Sequence, residues 1–298
     1  LTMEIDGAIH SLARDISIQL FRDGGGYMGQ VASTGGSTDA TLSNVEDIAN
    51  FEVGMTLIFA ADTGGSSGAS TGGGVVTAVN RSTGVLTFTA ATGGLSANDY
   101  IFRSGTEAGA TLTSTSAKAV MGLDGWLPSS APGSTAFFGQ DRSKDTERLG
   151  GIRFDGSAMP IEEALVSGAA KAARAGANPD TCVMSYESYI NLEKSLGSRV
   201  RYDELKARDA DVGFRTLAIQ GPNGVINVVP DQNCQQDVAY ILQMDTWSLN
   251  SLGGAPHILD LDGNRILRQS SADAYEIRVG FYGNLACSAP GYNVRVAL

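Results

Sequence analysis

The sequence predicts an α+β fold, because helical and strand patterns occupy separate stretches instead of alternating along the chain. Apolar residues recur at steps of three and four near the N-terminus, whereas the C-terminal third consists of short β-branched and aromatic runs. A Gly-, Ser- and Thr-rich stretch at 30–119 separates them and contains further short strand patterns. At 298 residues the chain exceeds what one hydrophobic core usually supports, so more than one domain is expected.

A helix is predicted over residues 3–21, where the apolar spacing is that of an amphipathic helix. It runs into 22-RDGGGYMGQ-30, whose glycines match the G-x-G-x-x-G pattern of a dinucleotide-binding turn. That turn needs a strand before the glycines and a helix after them, and here the order is reversed. We therefore interpret Gly24 as the left-handed cap of the helix. The whole group is predicted to stop the helix and to form a flexible insertion hinge: Gly24, Gly25, Gly26 and Gly29.

The stretch 30–119 predicts a small sandwich or barrel, because short strand patterns recur there between turn-forming clusters. The predicted strands are 55–59, 74–79, 85–89 and 100–103.

The remainder of the chain begins with helix signals and ends with strands. A helix is predicted to follow Pro160 and to end before Gly176, and a second one begins after Ser185 and stops at Gly197. Pro-Asn-Gly at the centre of 215–231 predicts a hairpin. The other predicted strands are 182–184, 239–244, 247–252, 258–261, 266–269, 274–287 and 292–298.

The composition excludes several classes of function. A net charge of −11, from 32 acidic and 21 basic residues, argues against a dedicated nucleic-acid binder, which needs clustered Lys and Arg. The cysteines Cys182, Cys234 and Cys287 are too far apart for a C-x-x-C motif. No run of about 18 apolar residues occurs, so a protein made in the cytoplasm, without a membrane partner, is expected.

Three local patterns suggest chemistry but lack the context that it requires. The match to G-x-S-x-G at 64–68 is not followed by a helix, which a serine-hydrolase turn needs. The glycine of 260-DLDGN-264 comes too early for a calcium loop, and Asp262-Gly263 is interpreted as a hairpin turn. His10 and His257 have no carboxylates at metal-ligand spacing. We predict no catalytic residue, no metal and no cofactor.

Two stretches alternate acidic and basic residues, 141-DRSKDTER-148 and 199-RVRYDELKARDAD-211. Such runs are usually solvated surface that contributes little to stability. In a symmetric assembly, however, alternating charge can set the register between neighbours. The candidate inter-subunit residues are Asp141, Arg142, Lys144, Asp145, Glu147, Arg148, Arg199, Arg201, Asp203, Glu204, Lys206 and Arg208.

The order of these elements resembles the major capsid proteins of tailed bacteriophages, which have the Hong Kong 97-type fold. The helix ending in 21-FRDGGGYMG-29 and the continuation 121-MGLDGWLP-128 are similar to that family's spine helix and the turn after it. The stretch 160-PIEEALVSGAAKAARAGANPDTCVMSYESYINLEKSL-196 is similar to its helix, strand and helix. The hairpin and strand within 217–249 and the strands of 274–298 carry the rest of the likeness.

The resemblance implies a peripheral domain with the spine helix and long β-strands, an axial domain, and an inserted small all-β domain. The expected divisions are 1–29 (spine helix), 30–119 (insertion), 120–178 (peripheral), 179–245 (axial), 246–289 (peripheral strands) and 290–298 (final axial strand). The family also has an N-terminal arm and an extended loop ahead of the spine helix. This sequence begins at or inside that helix, so that part of the family pattern is expected to be cleaved, disordered or omitted here.

In function, the resemblance implies a structural head protein and not an enzyme. It would assemble as hexamers and pentamers into an icosahedral shell that encloses double-stranded DNA without sequence-specific contacts. The expected partners are other copies of itself, the portal, and scaffolding or cement proteins; assembly would occur in the bacterial host cytoplasm, and the product would be the virion capsid. Two alternatives stay open: an encapsulin-type compartment shell of the same fold, and a protein whose β module at 30–119 binds glycans.

Overall fold

The computed structural model describes residues 2–34, 38–65, 74–89, 95–109, 112–196, 217–254, 256–260, 263, 265–268, 271, 273 and 275–298. The helices are α1 (Thr2–Gln19), α2 (Leu123–Trp126), α3 (Ile161–Arg174) and α4 (Tyr186–Leu196). The first strands are β1 (Tyr27–Thr34), β2 (Asp39–Leu42), β3 (Thr56–Ala60), β4 (Gly74–Asn80), β5 (Val85–Phe88), β6 (Tyr100–Arg103), β7 (Ala136–Phe137), β8 (Gln140–Asp141), β9 (Ile152–Asp155) and β10 (Thr181–Met184). The others are β11 (Leu217–Gly221), β12 (Gly224–Pro230), β13 (Val238–Leu242), β14 (Trp247–Ser251), β15 (His257–Ile258), β16 (Leu267–Arg268), β17 (Tyr275–Glu276), β18 (Val279–Gly280), β19 (Gly283–Cys287) and β20 (Val294–Ala297). The predicted α+β class is confirmed.

The first six strands form a closed barrel in the order β1-β2-β5-β4-β3-β6, and β6 pairs back onto β1. Alternating side chains fill its interior, among them the fully buried Val31, Leu57, Leu86 and Ile101. Ile18, from the last turn of α1, joins the same core. Of the two predicted forms, sandwich and barrel, the chain adopts the barrel. The four predicted strands correspond to β3–β6, whereas β1 and β2 were not predicted.

The second core surrounds a mixed six-stranded sheet in the order β11-β12-β10-β13-β20-β9. Strand β10 is parallel to β12 and β20 is parallel to β9, while the other neighbours are antiparallel. Helices α3 and α4 cover one face, and Gly168 lets α3 approach closely, because a Cβ there would lie 2.9 Å from Cγ2 of Val296. On the other face, Phe21, Leu123 and Tyr240 belong to a separate cluster. Strand β13 is thus buried on both sides.

The predicted helices and hairpin of this region are confirmed. Helix α3 follows Pro160 and is closed by Gly176, whose φ is +89°. Helix α4 is capped by Ser185, whose Oγ accepts a hydrogen bond from the backbone N–H of Ser188 at 3.2 Å. Strands β11 and β12 pair as the predicted hairpin. Strand β9 and helix α3 also pack with this sheet, so the sheet reaches further back along the chain than residue 179.

The prediction of one long strand at 274–287 is wrong, because the segment does not form a single continuous strand. Three short strands replace it, and they pair in turn with the preceding segment: β19 with β14, β18 with β15, and β17 with β16. The prediction of a hairpin at Asp262-Gly263 is also wrong. Strand β15 pairs with β18 and strand β16 pairs with β17, so β15 and β16 do not pair with each other. Asp262 itself lies outside the described residues. The three pairs follow one another as an irregular two-stranded ribbon, formed by the described residues of 247–287.

The chain enters and leaves the barrel at neighbouring points. The backbone N–H of Leu123 donates to the carbonyl oxygen of Leu20 at 2.7 Å, just beyond the end of α1. Gly122 makes this approach possible, since a Cβ there would overlap the carbonyl oxygens of Gln19 and Leu20. The described residues between Phe21 and Gly122, which include the barrel, therefore leave the rest of the chain and return to it at one place.

Candidate assembly surfaces

The first predicted contact run, 141–148, includes strand β8 and the 3₁₀ turn after it. Arg142 points inward there. One of its Nη1–H groups donates to the carbonyl oxygen of Gly125 at 3.0 Å, and its guanidinium carbon lies 3.7 Å from the centre of the Phe137 ring. Burial lowers the pKa of Arg142 to about 10. Arg142 therefore fastens the β7–β8 hairpin to α2 within one subunit, a role that the charge pattern did not indicate.

The other charged residues of this run lie at the surface. Asp141 accepts hydrogen bonds from the hydroxyl and the backbone N–H of Ser143, and these bonds lower the pKa of the Asp141 carboxyl. Lys144 lies 3.8 Å from Asp141, a distance at which an exposed pair contributes little. The residues of the run with exposed charges are Lys144, Asp145, Glu147 and Arg148. Their contact with a neighbouring subunit stays a prediction.

The second predicted run, 199–211, lies outside the described residues, together with its candidates Arg199, Arg201, Asp203, Glu204, Lys206 and Arg208. The described ends of this segment are the last residue of α4, Leu196, and the first residue of β11, Leu217. Strand β11 is an edge strand of the six-stranded sheet.

The glycines after α1 are a close-packed junction, and the predicted cap and flexible hinge are corrected accordingly. Helix α1 ends at Gln19, so Gly24 is too distant to cap it, although Gly24 and Gly26 both have positive φ. A Cβ on Gly25 would overlap the carbonyl oxygen of Thr63, and one on Gly26 would overlap that of Thr106. The absent side chains thus let the loop after β3 and the segment after β6 pack against the junction. Gly29 lies within β1, where a Cβ would be 3.3 Å from the Phe51 ring.

Buried charges lie beside these glycines. Arg22 and Asp47 form a salt bridge of 2.7 Å, and both side chains are almost fully buried. Burial raises the pKa of Asp23 to about 6, while the Thr63 side chain and the backbone N–H of Gly25 oppose the shift by hydrogen bonding to the carboxylate. The sequence could not indicate this cluster, because the partners come together only when the barrel folds.

A similar group of charges lies on the subunit body. Arg295 of β20 lies 3.4 Å from Asp124 of α2, and burial raises the pKa of Asp124 more than Arg295 lowers it. Arg22, Asp47, Asp124 and Arg295 line one cavity of about 350 Å³ between the barrel and the six-stranded sheet. The cavity walls carry charges of both signs.

The ribbon over 247–287 is an exposed surface that the sequence did not reveal as such. Large apolar side chains project from it; Leu252 is 90% exposed and Tyr275 is 71% exposed. Its base is held by Trp126, whose Nε1–H donates to the carbonyl oxygen of Leu285 at 3.0 Å, and by Asn284, whose Oδ1 accepts from the backbone N–H of Met121 at 2.8 Å. An isolated two-stranded ribbon is at best marginally stable. Additional contacts would stabilise it.

Two kinds of site were searched for in the described part of the chain. In that part, no three or more His, Cys, Asp or Glu side chains are grouped so that they could hold a metal ion. Among the same residues, no helix combines the length and apolar character needed to cross a membrane.

Comparison with known proteins identifies the class. The family of the SU10 major capsid protein matches residues 60–265, which is more than half of the chain. The chain therefore belongs to this family: it is a bacteriophage capsid protein, and the resemblance to phage major capsid proteins is confirmed. Among solved structures, the capsid asymmetric unit of cyanophage A-1(L) is similar at 14% identity and a TM-score of 0.45, and the alignment covers 62% of each chain. No curated protein sequence matches.

Proposed function

We propose that this chain is the structural subunit of an icosahedral phage head, that it assembles as hexamers and pentamers, and that the shell encloses double-stranded DNA. The observation that carries the proposal is the match of residues 60–265 to the SU10 major capsid protein family. In this proposal the chain performs no catalysis, and it is made in the host cytoplasm before it becomes part of the virion. Its further partners are the portal and scaffolding or cement proteins.

We further propose a Hong Kong 97-type division of the subunit. The six-stranded sheet with α3 and α4 corresponds to the axial domain, which gathers around the five- and six-fold axes. Because β9 and α3 pack with this sheet, the axial domain would include them as well as 179–245 and 290–298. Helix α1 and the ribbon correspond to the peripheral domain; α1 packs beside β18, which supports placing them together.

The barrel is proposed to be the inserted domain. The hydrogen bond between Leu123 and Leu20 supports this, because an insertion is tolerated best where its two ends meet. We place the barrel on the outside of the shell, where an added domain interferes least with closure.

The charge of the chain suits a container for DNA. A shell that encloses DNA has no need of phosphate contacts, and strong basic patches would retain DNA by a salt-dependent attraction during packaging. A net charge of −11 avoids that retention. Subunit contacts would then come from mixed-charge and apolar surfaces, such as the exposed part of 141–148 and the ribbon.

Electron microscopy of the purified chain tests the proposal, with and without scaffolding protein and portal. We expect closed shells or ring-shaped capsomers in at least one of these conditions. Monomers under every condition would refute the proposal. Particles that contain a packaged enzyme and no DNA would instead indicate the encapsulin-type alternative.

The glycan-binding alternative has less support from the barrel itself. Protein sites that bind sugars typically use an exposed aromatic face, yet all described aromatic side chains between 27 and 103 are buried or half-buried. A glycan array probed with the barrel alone, compared with the complete chain, separates this alternative from a shell role. Strong sugar binding by a monomer that never assembles would favour it.

A further inference from the structure

A groove of about 900 Å³ lies beside the first charged run, on the surface formed by three segments of the subunit. These segments are 145–152, the C-terminal turn of α3 and the stretch 288–292. Two backbone hydrogen bonds of 3.0 Å join the first and third segments: the N–H of Gly291 donates to the carbonyl oxygen of Arg148, and the N–H of Ile152 donates to that of Asn293, the residue after 288–292. The groove is therefore preformed by the fold.

Three basic side chains line the groove. Arg148, Lys171 and Arg174 line it, and all three are exposed. Lys171 lies over the Phe154 ring at 4.8 Å. Within the part of the chain that the structure describes, neither Arg148 nor Arg174 forms a salt bridge. Two exposed guanidinium groups in one groove are suited to bind carboxylates through paired hydrogen bonds.

The rest of the lining indicates which anion the groove would accept. Asp145 and Glu147 lie in the same groove, so it has three basic and two acidic side chains and would repel a phosphate backbone in part. A protein segment can place its carboxylates against the arginines and its own basic groups against Asp145 and Glu147. The chain as a whole carries a net charge of −11, so the surface of another copy is the natural source of such carboxylates.

We infer that this groove receives a carboxylate-bearing segment of a second copy of the chain. The inference rests on the proposed shell function and deepens it, because it assigns one side of a subunit contact. In a cyclic ring, one face of each subunit meets a different face of its neighbour. The groove would be the receiving face, and the face that supplies the carboxylates would lie elsewhere on the subunit.

The test is a charge reversal, Arg148→Glu with Arg174→Glu, in the complete chain under conditions in which the wild type assembles. Both side chains are exposed, so we expect unchanged circular dichroism and thermal unfolding, with particle yield in sedimentation at least tenfold lower. The matched control is Lys118→Glu, an exposed reversal outside the groove and outside both charged runs, which should assemble normally. Should the reversed variant fail to fold, the double variant Arg148→Gln with Arg174→Gln replaces it. This variant removes the positive charges without adding negative ones, and we again expect a loss of particle yield.

Mixing the two proteins gives a second readout that a folding defect would not produce. A reversed subunit keeps the face that supplies carboxylates but lacks a working groove, so a small fraction of it should terminate growing rings and inhibit wild-type assembly. Normal assembly of the folded double variant, or an equal loss in Lys118→Glu, would overturn the inference. Groove variants that assemble normally while inorganic phosphate binds only the wild-type groove would identify an anion site instead. Absence of particles from the wild type would refute the proposed function itself.

Discussion

The clearest test of the barrel junction is the substitution Asp23→Asn. Burial raises the pKa of Asp23 from 3.8 to about 6. At 1.36 kcal/mol per unit, the buried charge costs the folded state up to about 3 kcal/mol at neutral pH. An asparagine at this position keeps an oxygen that can accept from the N–H of Gly25 and removes the charge. We therefore expect the variant to be about 1–3 kcal/mol more stable than the wild type at pH 7.

The sign of the pH dependence follows from which state holds the proton more tightly. The raised pKa means that the folded state keeps its proton up to about pH 6, whereas the unfolded chain loses it near 3.8. The wild type is therefore destabilised progressively as pH rises from about 4 to about 6, and the difference is constant above that range. The gain from Asp23→Asn should be largest at pH 7 and should nearly vanish at about pH 4.

Urea unfolding followed by circular dichroism at several pH values between about 4 and 7 measures this difference. The control is Asp155→Asn, because hydrogen bonds from Ser157 lower the pKa of that exposed carboxyl and predict the opposite trend. The compared quantity is the gain in the free energy of unfolding of Asp23→Asn over the wild type. If this gain were the same at pH 7 as at pH 4, the buried-charge explanation would be wrong.

Three further substitutions, two of them with a control variant, test the contacts of the junction and of the hairpin. Arg22→Met leaves Asp47 buried without its partner and should lower the free energy of unfolding in urea by about 3–5 kcal/mol. The control, Arg14→Met at the exposed pair with Glu52, should lower it by less than about 1 kcal/mol. Equal losses in the two variants would contradict the explanation by burial. Gly25→Ala should lower stability by about 1–3 kcal/mol through overlap with Thr63, whereas Gly7→Ala, in the open on α1, should raise it by about 0.5–1 kcal/mol. Arg142→Ala should expose the β7–β8 hairpin to limited proteolysis, read by mass spectrometry; unchanged cleavage would show that Arg142 does not hold the hairpin.

Local signals predicted the helices that flank the six-stranded sheet. Pro160, Gly176 and Ser185 each act on the nearest turn of chain, so their effect is visible in a short window of sequence. The strand pattern of 274–287 was equally clear, but a pattern does not specify where a strand stops pairing. At Gly283 a Cβ would lie 2.7 Å from the carbonyl oxygen of Asn250, a close approach that depends on the partner strand.

The candidate surfaces were predictable only in part, for a similar reason. A charged residue has the same sequence signature whether its side chain meets solvent or packs on an aromatic ring. Arg142 and Lys144 are two positions apart, yet one lies over Phe137 and the other is exposed. Contacts between residues far apart in sequence decide this, as they decide that Arg22 meets Asp47. The groove likewise combines three segments that are distant in sequence.

The packing at the junction determines how the subunit carries its barrel. A domain inserted at one point could be connected only by two flexible linkers, and its position would then vary from one subunit to the next. Here the buried pair of Arg22 and Asp47, and the close approach of Thr63 and Thr106 to the glycines, hold the barrel against the body. Two salt bridges of 2.7 Å, Arg14–Glu52 and Asp15–Arg103, also hold the barrel against α1. In the proposed shell, a barrel held in one orientation on each subunit would present the same surface at every position. The glycines contribute to this by having no side chain at the point where the barrel loops must come closest.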